Sequence, residues 1–141
     1  MKVLFIAPRF HTNQFYITKF LTQRGIEVLF LVGRKENSED YTFVKPELCK
    51  TSIIFRIIEK LFFRSNSVAL ENFRINKTLP SFFWMKRRIK AFSPNIIIVR
   101  NRNVMSLMGI VAAKLCGVEC KLLYTQEALY RESERISFKN R

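Results

Sequence analysis

The chain has 141 residues, 48% hydrophobic and 26% charged, so it is long enough to bury a core and lacks the composition of a disordered protein. Its 25 basic residues outweigh 11 acidic ones, and the net charge of +14 predicts an anionic partner: nucleic acid, acidic lipid or a phosphorylated substrate. No apolar run approaches the roughly 20 residues that a membrane-spanning helix needs, and the short apolar start does not have the pattern of a signal peptide.

The cysteines argue against a metal site and against disulfides. Cys49, Cys116 and Cys120 are an odd number with no C-x-x-C pair, and His11 is the only histidine. A tetrahedral metal site needs more ligands in closer spacing than these residues offer. We therefore expect no metal, no bound cofactor, and reduced thiols in a cytoplasmic protein.

The first 33 residues have the pattern of a βαβ unit. Val3–Ala7 is an unbroken apolar run, typical of a strand buried on both faces, and Pro8 should end it because proline lacks an N–H. Thr12 or Asn13 is expected to cap a helix, and Val28–Val32 is a second strand. Between them, apolar residues recur at helical spacing: Phe15, Tyr16, Ile17, Phe20 and Leu21.

The middle of the chain is predicted to be mainly helical. Tyr41–Val44 is expected to form a short third strand that ends at Pro46. Helices are predicted over 52–64, 68–77 and 79–92, the last with Pro80 in its first turn. The inward stripe of that last helix is expected to contain Phe82, Met85, Ile89 and Phe92.

The last third returns to the strand and helix pattern. Ile96–Val99 and Lys121–Tyr124 are predicted strands, and Asn103 is expected to cap a helix between them, over Val104–Cys116. The expected core stripe of that helix is Val104, Leu107, Met108, Val111 and Leu115. The sequence thus predicts a single α/β domain over 1–130, a doubly wound parallel sheet with helices on both faces, followed by a charged tail over 131–141.

Polar residues follow the predicted strands, and parallel strands end at the same edge of a sheet, where ligands bind in such folds. Arginine forks match phosphate and carboxylate oxygens, and two helix N-termini point to the same edge. We predict His11 and Glu127 as catalytic candidates, either of which could act as a general base or orient a hydroxyl. The predicted substrate-binding residues are Arg9, Asn13, Arg100, Asn101, Arg102 and Gln126. The alternative is that these are ordinary polar residues at strand ends and that Asn13 and Asn103 are helix caps only.

The motifs of several enzyme classes are missing. The first loop has no G-x-G-x-x-G, and the chain contains neither a P-loop lysine motif nor a nucleophile elbow. The sequence therefore disfavours a self-sufficient dinucleotide or ATP site.

The segment from Lys50 to Lys90 carries ten basic residues against two acidic ones. The helical spacing predicts that Trp84 lies on the outer face of its helix, between cations, an arrangement that suits a membrane interface. The residues predicted to contact an anionic membrane are Arg56, Lys60, Arg64, Phe83, Trp84, Arg87 and Arg88. The alternative is that another domain or a partner covers these aromatic side chains.

Three segments in order resemble the N-terminal domain of GT-B fold glycosyltransferases, particularly the GT4 family. The first 32 residues, which include Arg24-Gly25-Ile26-Glu27-Val28, are similar to that family's opening βαβ unit and its "rGheV" turn. Residues 93–103 (SPNIIIVRNRN) resemble its "kPDiihvhn" segment, and 122–127 (LLYTQE) resemble the following strand and active-site loop. Asn95 replaces the usual Asp, the glycine-rich first loop of many members is absent, and Gln126 falls where some members have a histidine.

The resemblance implies a Rossmann-like domain that binds the acceptor and associates with the inner face of the plasma membrane. The nucleotide-sugar donor would be held by a C-terminal domain or a partner chain, and these residues alone would be inactive. The implied activity is transfer of a sugar to a lipid-linked or polysaccharide acceptor. Two alternatives remain open: a non-catalytic membrane-recruiting subunit of a split transferase, and a nucleic-acid-binding α/β domain, for which no reading motif is present.

Overall fold

The computed structural model describes residues 1–35, 39–62, 79–100, 103–119 and 121–125. These residues form strands and helices in the order β1 (Lys2–Arg9), α1 (Thr12–Gln23), β2 (Glu27–Arg34), β3 (Glu47–Leu48), α2 (Ile53–Phe62), α3 (Phe82–Phe92), β4 (Ile96–Arg100), α4 (Val104–Leu115) and β5 (Lys121–Thr125). The predicted helix over 68–77 and the tail over 131–141 lie outside the described residues.

The five strands form one sheet, in the order β3-β2-β1-β4-β5, and every pair is parallel. Chain order reverses between β1 and β4, since β2 lies on one side of β1 and β4 on the other. Leu4, at the centre of β1, pairs with Leu29 on one side and Ile97 on the other. The prediction of an α/β fold with a parallel sheet is confirmed.

Alternate residues of β1 enter two separate cores, one on each face of the sheet. Leu4 and Ile6 belong to the core that also holds residues of α3 and α4: Trp84, Met85, Ile89, Met105, Ala112 and Ala113. Val3, Phe5 and Ala7 belong to the opposite core, where Leu21 of α1 packs. Helices therefore cover both faces, as the doubly buried strand pattern predicted.

Strand β1 does not end at Pro8, contrary to expectation. It continues to Arg9, which pairs with Arg34 of β2. Pairing between β1 and β4 reaches only as far as Ile6. Beyond that point, among the described residues, β1 pairs on one side only, and a proline is tolerated where a ladder hydrogen bond is not needed.

The expected third strand over Tyr41–Val44 is also wrong. The strand at this edge is Glu47–Leu48, so that Pro46 precedes it instead of ending it. Tyr41 and Val44 pack onto the core beside the sheet, and the Tyr41 ring contacts Phe10 edge to face at 5.5 Å. Side-chain packing, and not pairing, accounts for the apolar residues here.

Helices α2 and α3 begin from a common antiparallel bridge. Thr51 pairs with Pro80, the Ser52 N–H donates to the Leu79 carbonyl at 2.9 Å, and the Ser81 N–H donates to the Lys50 carbonyl at 2.7 Å. Pro80 therefore lies in this bridge, and α3 begins at Phe82 instead of at residue 79. The bridge fixes the N-termini of the two helices side by side.

The core stripe predicted for α4 is wrong, although its Asn103 cap is confirmed: Oδ1 of Asn103 accepts from the Ser106 N–H at 2.8 Å. Leu107 is 61% exposed, and Val111 and Leu115 also face outward. The buried face is made of small or slender residues because α4 approaches β1 closely. A Cβ on Gly109 would lie 2.9 Å from Cδ1 of Ile6.

The Cys49 thiol gives a testable consequence of this packing. Burial, with a smaller contribution from the negative charge of Glu47, raises the pKa of Cys49 to about 12, against 9.0 for a free thiol. We expect Cys49 to resist alkylation at pH 8 in the native protein, since the thiolate is the reactive form, and to react fully in guanidinium. Peptide mass spectrometry distinguishes it from the other cysteines; rapid native labelling of Cys49 would contradict its burial.

The raised pKa of Cys49 also makes the stability of the fold depend on pH. The unfolded state loses the Cys49 proton near pH 9 and the folded state only near pH 12. This contribution to stability is therefore present below pH 9 and declines as the pH rises towards 12.

Candidate functional site

The carboxyl ends of β1, β2 and β4 bring three arginines to one edge of the sheet, which we name the carboxyl rim: Arg9, Arg34 and Arg100. Arg9 and Arg34 are register partners, and Arg100 ends the strand on the other side of β1. Neighbouring strands lie about 4.8 Å apart. The expectation that these strand ends converge is confirmed for the described residues.

His11 lies at the rim and contacts Arg9 directly. The Arg9 Nε donates a hydrogen bond to Nε2 of His11 at 3.0 Å. That bond occupies the ring nitrogen lone pair that a general base would use. In this geometry His11 orients the Arg9 guanidinium, and action as a base would require the bond to open.

The loop that carries Arg9 and His11 is held by the residue between them. Phe10 is fully buried and packs edge to face against Phe30 at 4.9 Å. The His11 carbonyl accepts from the Gln14 N–H at 2.7 Å as α1 begins. His11 is thus the N-cap residue, without a side-chain cap bond, where Thr12 or Asn13 was expected.

Two helix N-termini complete the rim. Asn13 is exposed in the first turn of α1, and its Oδ1 accepts from Nε2 of Gln14 at 3.0 Å. Across the rim, Ser106 in the first turn of α4 donates from Oγ to the Arg100 carbonyl at 2.6 Å and so ties β4 to α4. Helix N-termini beside arginines favour an anionic ligand.

The structure brings together some of the predicted site residues and leaves others undetermined. Arg9, His11, Asn13 and Arg100 share the rim, and Asn101, Arg102, Gln126 and Glu127 lie outside the described residues. Arg34 was missed, since the predicted second strand ends at Val32. Arg34 and Arg100 each stand at the end of an apolar strand. The reasoning that identified Arg100 would therefore also have identified Arg34.

Helix α2 presents a second candidate surface, the α2 apolar face: Ile53, Ile54, Ile57 and Leu61. All four are exposed, whereas Phe55 on the other side of the helix is buried. At about 100° per residue the four span one continuous side of α2, and Arg56 and Lys60 lie exposed along its margin. An outward apolar face edged by cations is typical of a helix that lies on a membrane surface.

The inward stripe predicted for α3 is confirmed, since Met85 and Ile89 are buried and Phe82 and Phe92 pack against the same core, but the predicted position of Trp84 is wrong. Trp84, expected outside between cations, is only 8% exposed and belongs to the core with Met85 and Ile89, whereas Phe83 is 81% exposed. Trp84 is therefore a core residue and Phe83 the outward aromatic.

The basic residues of α2 and α3 differ in their surroundings. Nε of Arg88 donates to a carboxylate oxygen of Glu47 at 3.1 Å, which joins α3 to β3. Arg88 is thus held in an ion pair and its lipid contact stays a prediction, while Arg56, Lys60 and Arg87 are exposed. Arg64 lies outside the described residues.

The described part of the chain lacks both a cluster of metal ligands and a membrane-spanning helix. It contains no group of three or more His, Cys, Asp or Glu that could hold a metal ion. None of its helices is long and apolar enough to cross a membrane.

Comparisons with protein families, with curated proteins and with solved structures found no match to this chain. Its function must therefore be inferred from its own residues.

Proposed function

We propose that the chain is the acceptor-binding, membrane-associating N-terminal part of a GT-B, GT4-like glycosyltransferase. The proposed reaction moves a sugar from a nucleotide-sugar donor to a lipid-linked or polysaccharide acceptor. A C-terminal domain or partner chain would hold the donor, and this part would position the acceptor at the inner face of the plasma membrane. The ordered sequence resemblance and the Rossmann-like strand order support this proposal.

The observation that carries it is that the two candidate surfaces begin at the same edge of the sheet. Strand β3 runs parallel to β2, so its end at Leu48 lies on the side of the carboxyl rim. The bridge that follows at Thr51 starts both α2 and α3. A membrane held by the α2 apolar face would therefore lie near the rim arginines.

The arginines of the carboxyl rim suit the phosphate groups of an acceptor. Lipid-linked acceptors carry phosphate or diphosphate beside the sugar, and guanidinium groups bind such oxygens through paired hydrogen bonds. Arg9, held by His11, and Arg100, at the end of β4, lie on adjacent strands. We assign them to the acceptor phosphates, and His11 to the positioning of Arg9.

The test uses a soluble acceptor fragment, a hexose joined through a diphosphate to a methyl group, titrated into the protein by NMR. We expect Arg9→Gln and Arg100→Gln each to weaken binding about tenfold or more, since hydrogen bonds to charged groups contribute about 1.5–3 kcal/mol. Arg24→Gln is the matched control, because Arg24 follows α1 at the opposite edge and stacks on Phe20. Equal affinity in all three variants would contradict the assignment.

A second candidate is a non-catalytic subunit that recruits a partner to the membrane. The observation that favours it is that the α2 apolar face and Phe83 are exposed and include none of the rim residues. A surface of this kind could bind a membrane whether or not the rim binds an acceptor. Vesicle binding without any binding of the acceptor fragment would support this alternative.

A further inference from the structure

A groove of about 340 Å³ lies on the α1 face of the sheet and shares Arg100 with the proposed acceptor site. Its floor is formed by Val3 and Phe5 of β1 with Ile96 and Ile98 of β4, and Ile17 and Leu21 of α1 form a wall. A volume of this size is in the range of small-molecule sites, about 300–1,000 Å³. The floor follows the five residues of β4, about 13 Å at the usual rise per residue.

The polar groups of the groove lie at one end. Gln14 is in the first turn of α1 and Arg100 is the last residue of β4, so both line the groove beside the carboxyl rim. Met1 and Leu21 line it towards the opposite edge of the sheet. The groove is therefore apolar along its length, with a polar head region at the rim.

The strongest evidence for a ligand in the groove is the buried side chain of Gln14. It is 1% exposed, and within the described residues its Oε1 has no hydrogen-bond partner, while its Nε2 donates to Asn13. A buried acceptor without a donor is unfavourable and rare in native proteins. A ligand hydroxyl in the groove would supply that donor.

We propose that this groove binds a single-chain amphiphile: an acyl or isoprenoid chain whose head carries an anionic group and a hydroxyl. The chain lies over β1 and β4 between α1 and Leu123 of β5. The head lies at the rim, where its hydroxyl donates to Oε1 of Gln14 and its anion meets the Arg100 guanidinium. This site does not depend on sugar transfer.

The test uses dodecyl phosphate below its micelle concentration at about pH 5, where the phosphate is mainly the monoanion, which carries both a charge and a hydroxyl, because its second pKa is about 6. Calorimetry should give one saturable site, with inorganic phosphate and dodecanol at least tenfold weaker. Gln14→Leu should weaken binding about fivefold or more, and Ile98→Trp should block the groove. Gln23→Leu and Leu107→Trp, both at exposed positions, are the matched controls and should bind normally.

Methyl NMR distinguishes the groove from the α2 apolar face. In the bound state we expect shifts and probe contacts at Ile98 and Leu123. Shifts confined to Ile54 and Ile57 would overturn the proposal, as would normal binding in both Gln14→Leu and Ile98→Trp. In the probe-free protein, contacts from Ile98 to methyl groups beyond residue 125, or to a second copy, would also overturn it because the groove would already be filled.

The probes separate this site from the proposed function. Dodecyl phosphate has a chain but no sugar, and the hexose diphosphate fragment has a sugar but no chain. Binding of one without the other therefore identifies which assignment fails.

Discussion

Ile57→Asp is expected to lower binding to anionic vesicles about tenfold or more, and Ile54→Asp with Ile57→Asp about a hundredfold. Full burial of one such side chain contributes about 1.5–3 kcal/mol, and 1.4 kcal/mol corresponds to a factor of ten. Ile57 is 51% exposed on the α2 apolar face, so the native fold should tolerate the change. Vesicle sedimentation with unchanged circular dichroism makes the measurement.

The matched control is Leu107→Asp, because Leu107 is an exposed apolar residue on a different helix, α4. Both substitutions add the same negative charge, so a purely electrostatic effect would be equal in the two variants. We expect Leu107→Asp to bind nearly as well as the wild type. Equal losses in both variants, or no loss in either, would contradict membrane docking by α2.

The cations beside this face should contribute in a salt-dependent way. Each basic residue near an anionic surface contributes about 1 kcal/mol, which is about fivefold in affinity. Vesicles without anionic lipid, or high salt, should therefore weaken binding and reduce the difference between wild type and Lys60→Gln.

The second large effect is expected in stability. Trp84→Ala should lower the free energy of unfolding by about 3–5 kcal/mol, because it removes a large buried side chain from the core between the sheet, α3 and α4. Urea unfolding followed by circular dichroism measures this, since Trp84 is the only tryptophan and fluorescence would be lost.

The neighbouring residue provides the control. Phe83 is highly exposed, so Phe83→Ala should change stability by no more than about 0.5 kcal/mol. If Trp84 lay outward, as predicted, Trp84→Ala would have the small effect. That result would contradict the packing of α3.

The positions of β1, β2, β4 and β5 were predictable because unbroken apolar runs, such as Ile96–Val99, have few alternatives to a doubly buried strand. The inward stripe of α3 was also predictable, but the buried faces of α1 and α4 were not. The sheet-facing side of α1 contains Gln14 and Thr18, and Thr18 satisfies its hydroxyl by donating to the Gln14 carbonyl at 2.8 Å. On α4, close approach to the sheet selects small residues and leaves Leu107 outside. A rule that places the largest apolar residues inward fails in both cases.

In the candidate site, the positions of residues along the sheet were predictable, but their side-chain contacts were not. Parallel strands necessarily end at one edge, so Arg9 and Arg100 could be assigned to the rim from their positions after apolar runs. The sequence spacing does not encode the side-chain geometry on which three features depend. These are the bond between Arg9 and His11, the ion pair of Arg88 with Glu47, and the oxygen of Gln14 that has no partner among the described residues.

The most direct test of the central claim, that the carboxyl rim binds the acceptor, is a map of amide shifts. The methyl diphosphate hexose fragment is added to ¹⁵N-labelled protein. We expect shifts concentrated in residues 9–14, at 34 and 100, and in the first turn of α4. Saturable binding with shifts elsewhere and none at the rim, or no binding at all, would contradict it.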